Sequence, residues 1–142
     1  MAQREFIDTN VIIYSQASDE PAKQVAALAL MGRLHTSGTG VVSTQVLAEF
    51  CNVALKKLKL PALQVHRHLE FLSQYEVVQV TPEIIRAGLD LHQTRALSFY
   101  DAVIVASAAS AGCAVLWSED MNHGESVIGL RIHNPFAKNA QA

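Results

Sequence analysis

Residues 102–109 read Ala-Val-Ile-Val-Ala-Ser-Ala-Ala, with a single charge, Asp101, at their head. No other residue between Arg95 and Glu119 is charged. A helix that is apolar on every side belongs in a protein interior, between other layers of structure. A carboxylate at its mouth is costly to desolvate unless it is paired, hydrogen-bonded or holding a metal. This one segment therefore calls for a layered fold with a polar cleft where the helix begins. Asp8, Glu49 and Asp120 stand in comparable places, each at the polar end of an apolar segment. The recurrence points to an acidic, cation-binding pocket, and hence to hydrolysis of a phosphate ester.

The rest of the chain supplies the layers. Phe6-Ile7 read as a short strand that ends at Asp8, followed by a helical stretch from about Thr9. Pro21 after Asp19-Glu20 suits a helix start, and that helix is expected to run to His35. Residues 36–40, Thr-Ser-Gly-Thr-Gly, form a turn before a second strand at Val41-Val42. Ser43 and Thr44 are N-cap candidates for a helix expected to reach Leu60, and Pro61 opens another to Gln74. Residues 76–80 read as a third strand, and Thr81-Pro82-Glu83 as a helix start with cap, fixed φ and an acid facing the dipole. That helix is expected to end near Ala96, and the apolar helix to run from Ser98 to Ala111 before Gly112. Residues 114–117 form a fourth strand, residues 121–126 a loop or short helix, and residues 130–132 a last strand. Short apolar strands separated by helices imply a parallel sheet covered on both faces, an α/β fold.

Composition narrows the class. A chain of 142 residues fits one domain, spanning 1–142, and half of it is hydrophobic. Burial of about two-thirds of the unfolded surface is within reach at this size, so disulfides are not needed. The net charge of −2, from 13 acidic against 11 basic residues, is not the signature of a protein that grips nucleic acid over its whole surface. Any nucleic-acid contact must come from a local patch or through bound cations. Cys51 and Cys113 sit in apolar runs without Cys-x-x-Cys or zinc spacing, which fits reduced thiols in a cytoplasmic protein. The start, Met1-Ala2-Gln3-Arg4-Glu5, is too polar for a signal peptide, and no apolar run approaches the ~20 residues of a membrane span.

Open parallel sheets bind ligands outside the carboxyl ends of their strands. Asp8 ends the first strand, and Asp120 follows the fourth by way of Ser118. Glu49 lies in the second turn of the helix after the second strand. Asp101 joins them only if its helix begins near the same edge. Mg²⁺ and Mn²⁺ prefer oxygen ligands, lower the pKa of a bound water and neutralise charge developing on a phosphoryl group. Each acid also has a structural explanation. Ser98-x-x-Asp101 matches a capping box, Asp8 and Asp120 can cap helices, and Glu49 can be a solvent-facing helix acid. The case for function rests on the set.

The set has a recognisable context. Asp8-Thr9-Asn10 after a short apolar strand resembles the opening motif of PIN-domain ribonucleases. Residues 42–50, Val-Ser-Thr-Gln-Val-Leu-Ala-Glu-Phe, resemble the second motif, whose Glu is the second acid. Residues 98–106, from Ser98 through Asp101 to Ala106, are similar to the third, and residues 116–121, with Ser118, Glu119 and Asp120, to the fourth. Order and spacing agree over nearly the whole chain, and within the family the likeness is to VapC-type toxins of prokaryotic toxin–antitoxin pairs. The resemblance implies a three-layer α/β/α sandwich with a central parallel sheet and Mg²⁺- or Mn²⁺-dependent endonucleolytic cleavage of RNA. It carries over Asp8, Glu49, Asp101 and Asp120 as metal-binding, catalytic acids, with Thr9, Asn10 and Ser118 as supporting polar residues. Glu119 adjoins Asp120 and either can be the fourth ligand; alignment with Ser118 favours Asp120. An antitoxin protein and a second copy of the chain are the expected partners, beside the RNA substrate.

Other features weigh less. Lys56, Lys57 and Lys59 can meet RNA phosphates or simply complement a helix end. His66 and His68 are two apart on a helix and do not face each other, which speaks against a metal site, and His123 reads as a loop histidine. Phe50, Leu55, Leu58, Leu63, Leu69, Phe71 and Leu72 supply apolar faces on the two helices after the second strand; one such face is core, and any surplus can serve a dimer or receive an antitoxin helix. No phosphate loop, dinucleotide fingerprint or Gly-x-Ser-x-Gly elbow is present. Two alternatives stand beside the nuclease. One is a phosphatase of another α/β family, although Asn10 occupies the place where such enzymes commonly carry a second Asp. The other is a non-catalytic RNA- or protein-binding module, against which the presence of all four acids argues.

Overall fold

The computed structural model describes residues 2–137. Along them run β1 (Glu5–Ile7), α1 (Thr9–Tyr14), α2 (Pro21–Ser37), β2 (Gly40–Ser43), α3 (Thr44–Lys56), α4 (Ala62–Leu72), β3 (Glu76–Val78), α5 (Pro82–Thr94), α6 (Phe99–Ser110), β4 (Val115–Trp117), β5 (Ser126–Val127) and β6 (Leu130–His133). The strands form one sheet in the order β3-β2-β1-β4-β6-β5. All neighbours pair in parallel except β5 with β6. The central strands are buried over most of their length: Phe6, Ile7, Val41, Val42 and Leu116 have no exposed surface. That is why they read as continuous apolar runs rather than alternating ones.

Helices flank this sheet in an α/β/α sandwich, as the sequence leads one to expect. Helices α1 to α4 pack on one another in series, α2 on α1, α1 on α3 and α3 on α4, while α5 packs along α6. Helix α6 is the apolar helix of residues 102–109, and Ala102 through Ala108 are all buried in it. It also touches β2 and β6, which makes it the central slab of its layer.

The close approach of α5 to α6 depends on Gly88. A Cβ there would lie 2.8 Å from the Val103 Cγ2 and 3.0 Å from its Cα. The Cα cannot rotate out of the way, so Gly88→Ala must part the helices. The expected cost is about 1–3 kcal/mol, as for other overpacked sites, read as a lower midpoint in denaturant unfolding. An unchanged midpoint would show slack between the helices.

Three expectations are corrected. The sheet is mostly, not wholly, parallel, because Ser126–Val127 turns back as an antiparallel edge strand where a loop or short helix was expected. Its hairpin closes on Ile128 and Gly129 with φ of 47° and 82°, the left-handed pair that a tight hairpin needs. Helix α3 stops at Lys56 rather than Leu60. The amides of Lys57 and Leu58 both return to the Val53 carbonyl, and Lys59 then reverses the chain with φ of 52°. The third strand ends at Val78 rather than Val80, whose N–H is taken by the Thr44 hydroxyl at 3.1 Å. The other element ends agree to within a few residues.

Candidate functional site

Strand β1 delivers Asp8 at its carboxyl end, where the residue caps α1 and is only 4% exposed. Its Oδ1 accepts the Thr9 N–H at 2.7 Å, and its Oδ2 accepts the Ser118 hydroxyl at 2.8 Å. Ser118 is within reach because β1 and β4 run parallel with Ile7 beside Trp117, so both strands end together. Helix α3 starts from the end of β2, capped by the Ser43 hydroxyl at the Val46 N–H, and carries Glu49 inward. There the Thr9 hydroxyl donates to the Glu49 Oε1 at 2.7 Å. Asp120 follows β4, its Oδ2 accepting the Asn10 side-chain amide at 2.9 Å and its N–H donating to the Ser118 hydroxyl oxygen at 3.2 Å.

Asp101 settles the topological condition. Its helix does start at this edge, and Asp8, Glu49, Asp101 and Asp120 line one open pocket of about 300 Å³ with Thr9, Asn10, Gln45 and Asn52. The cap of α6 is made by the Ser98 hydroxyl, which accepts the Asp101 N–H at 3.2 Å. Among the described residues no bond from the Asp101 carboxylate to the Ser98 N–H completes a capping box. The Ser-x-x-Asp pattern thus caps the helix through its serine and leaves the carboxylate on the pocket. Asp8 serves as cap and as pocket acid together, and Glu49 is not solvent-facing.

Electrostatics follow from this convergence. Burial pushes the Asp8 carboxyl up to about 7; hydrogen bonds from Ser118 and Thr9 pull against it, while the charges of Asp101 and Glu49 raise it further. Burial also raises Asp101, partly offset by the Ser98 hydroxyl and reinforced by Asp120 and Glu49. Among the described residues no Lys, Arg or His lines the pocket. Carboxylates gathered without a positive partner repel, and a cation or a proton relieves them. As placed, the acids are held by Thr9, Asn10 and Ser118 separately. Among the described residues no three His, Cys, Asp or Glu side chains stand in one ion-holding cluster. The oxygen donors that line the pocket are of the kind a hard divalent ion prefers.

The adjoining acid turns elsewhere. The Glu119 Oε2 pairs with the Lys23 Nζ at 2.6 Å, and its Oε1 accepts the Tyr14 hydroxyl at 2.9 Å. The pocket lining contains Asp120 and not Glu119.

Gln45 and Asn52 are polar pocket residues that sequence reasoning passed over. They stand four before and three after Glu49, on the same face of α3, so helical spacing alone could have found them. The contacts of Tyr14 and Lys23 leave no such trace, since they join residues 105 and 96 positions apart. Lys56, Lys57 and Lys59 do not line the pocket. His66 and His68 lie on α4, with His68 edge-on to the Phe50 ring at 5.7 Å. His123 is structural: its Nδ1 accepts the Asn134 N–H at 2.9 Å. Among the described residues no helix is long and apolar enough to cross a membrane.

Comparison with known proteins agrees with this geometry. No curated protein matches the sequence. Among solved structures, a toxin–antitoxin complex from Klebsiella pneumoniae aligns with a TM-score of 0.69 at 20% identity, covering 93% of this chain and 98% of that one. DNA-bound VapBC from Salmonella typhimurium aligns with a TM-score of 0.69 at 20% identity, covering 94% and 99%. A sarcin-ricin-loop-cleaving VapC toxin of Mycobacterium tuberculosis aligns with a TM-score of 0.62 at 20% identity, covering 79% and 86%. These likenesses are of fold. The sequence profile of the PIN domain matches residues 6–125, from within the strand that leads to Asp8 to the end of the loop that carries Asp120. With that span matched, the chain belongs to the PIN-domain family.

Proposed function

We propose that this protein is a divalent-metal-dependent endoribonuclease acting as the toxin of a toxin–antitoxin pair. The observation that carries the reading is the meeting of Asp8, Glu49, Asp101 and Asp120, from four separate stretches of the chain, in one pocket with no cationic side chain among the described residues. Membership of the PIN family and a fold shared with VapBC complexes support it.

In this reading the four carboxylates hold Mg²⁺ or Mn²⁺. Such an ion supplies a more acidic bound water and offsets charge on the phosphoryl oxygens. The chain's own residues do the positioning. Ser118 and the Thr9 N–H fix both oxygens of Asp8, the Thr9 hydroxyl fixes Glu49, and Asn10 ties Asp120 to the start of α1. The pocket is open on one side, so an RNA backbone can reach the acids without entering the core. The exposed Leu28 and Phe71 beside an apolar cleft of about 340 Å³ between α2 and α4 offer an antitoxin segment somewhere to dock. A second copy of the chain completes the proposed assembly.

The test is direct. Purified protein incubated with structured RNA should cut it with Mg²⁺ or Mn²⁺, stop on addition of EDTA, and resume when the ion is restored in excess. Cutting that persists in EDTA overturns the metal assignment, and no cutting of any RNA with either ion overturns the nuclease.

A further inference from the structure

Glu119 is the fourth-motif acid that the pocket does not take. Between the end of β4 at Trp117 and the start of β5 at Ser126 the chain forms neither helix nor strand. The direction of Asp120 therefore depends on what its neighbours grip. Asn10 grips from the pocket side, its Oδ1 accepting the Glu119 N–H at 3.1 Å and its amide donating to the Asp120 Oδ2 at 2.9 Å. The opposite grip is the Glu119 carboxylate, bound by Lys23 at 2.6 Å and by the Tyr14 hydroxyl at 2.9 Å. The Lys23 Nζ is also held over the Tyr14 ring, 4.6 Å from its centre, and lies 5.6 Å from the centre of the Phe136 ring. Both side chains of the ion pair are largely covered, at 32% and 24% exposure, and such a packed, multiply bonded pair outlasts a loose surface pair.

Tyr14 is the last residue of α1, whose first residues are Thr9 and Asn10, and Lys23 lies in the first turn of α2. The latch thus ties the loop to the same short helix that opens the pocket. Two acids stand side by side on a loop without backbone regularity, and a cation on the outer side selects which of them turns away.

We propose that Lys23 and Tyr14 are positioning residues that act through Glu119: by holding Glu119 outward they present Asp120 inward beside Asn10 and set the pocket's affinity for a divalent cation. This rests on the metal-pocket reading above. The test is calorimetric titration of Mn²⁺ into the full chain, as wild type, Lys23→Met, Tyr14→Phe, Glu119→Gln, Asp120→Asn and the double variant Lys23→Met with Asp120→Asn. Lys23→Met keeps the side-chain stem over the rings and removes the charge. It should weaken Mn²⁺ binding by roughly tenfold, the usual loss when a group supporting a metal ligand is removed. In the Asp120→Asn background it should add little, because the side chain it positions is already gone. A merely structural role would leave the two losses additive, and additive losses overturn the proposal. Loss in Glu119→Gln with Lys23→Met unaffected also overturns it, by making Glu119 itself the ligand. If Lys23→Met fails to fold, Tyr14→Phe, which deletes one hydroxyl, decides by the same cycle: weaker binding supports the latch, and wild-type binding removes it. Wild-type protein that takes up no Mn²⁺ fails earlier, at the pocket reading, and is distinguished from a wild type that binds the ion while its latch variants bind it equally well.

Discussion

Asn in place of Asp8 or of Asp101 should leave a folded protein that cuts RNA at least ~10²-fold more slowly, a typical loss for one member of an electrostatic site. The size follows from where the groups stand. Each substitution keeps shape and the helix start: Asn can still accept the Thr9 N–H at position 8, and the cap of α6 belongs to Ser98 rather than to the side chain at 101. What goes is one negative oxygen pair from a pocket whose other charged lining residues, among those described, are carboxylates too. Asp90→Asn is the matched control, an exposed acid on α5 outside the pocket. It should cut at the wild-type rate. Single-turnover cleavage at saturating Mn²⁺, with circular dichroism to verify the fold, makes the measurement. Wild-type rates from either pocket variant would show that these carboxylates are helix-start residues and nothing more.

The readable and unreadable parts of the chain divide on a physical line. Asp8, Ser43, Thr81 and Ser98 each cap a helix, as short polar side chains before apolar periodic segments do. Those local signals set where α1, α3, α5 and α6 begin, and three of the four starts border the pocket. The parallel order of the buried strands follows from the same alternation of short apolar runs and helices. Two of the corrections share one cause, a left-handed backbone at a residue that does not advertise it. Lys59 ends the reach of α3 in a conformation usually signalled by glycine, and Ile128 opens the β5–β6 hairpin where Asn or Asp is the common signal. Alignment with Ser118 favours Asp120 over Glu119, but what Glu119 binds instead is not legible locally: Lys23 and Tyr14 come near it only after the sheet has brought β4 alongside β1.

The pocket also leaves its mark on stability. Asp8 in the folded protein titrates at about 7 against an ordinary value of 3.8. For an acid raised in this way, the folded state keeps the proton that the unfolded chain gives up. Below the unfolded value both states are protonated and nothing is lost. As pH rises from about 4 to about 7 the folded state binds more protons than the unfolded one, so stability falls, by at most ~1.4 kcal/mol per pH unit. Above about 7 the loss is complete, an upper bound of about 4 kcal/mol for a shift of this size, reduced by whatever water and ions enter the open pocket. Glu5, lowered by its hydrogen bonds to Arg33 and Trp117 against the opposing effect of burial, works in the other direction, so the wild-type curve alone does not isolate Asp8. The comparison with Asp8→Asn does. In EDTA the variant should melt at or slightly below wild type at pH 5 and clearly above it at pH 8, the gap opening through pH 6–7. A metal that binds only the folded state narrows that gap, adding about 2.7 kcal/mol to wild type at one hundred times its dissociation constant, and much less to the variant. Because the proton must leave before the ion can bind, Mn²⁺ affinity of the wild type should rise with pH through the same window. Equal melting of the two proteins in EDTA at pH 5 and pH 8, with equal gains from Mn²⁺, would mean that the buried Asp8 carries no uncompensated charge, and the acidic-pocket reading would lose its physical basis.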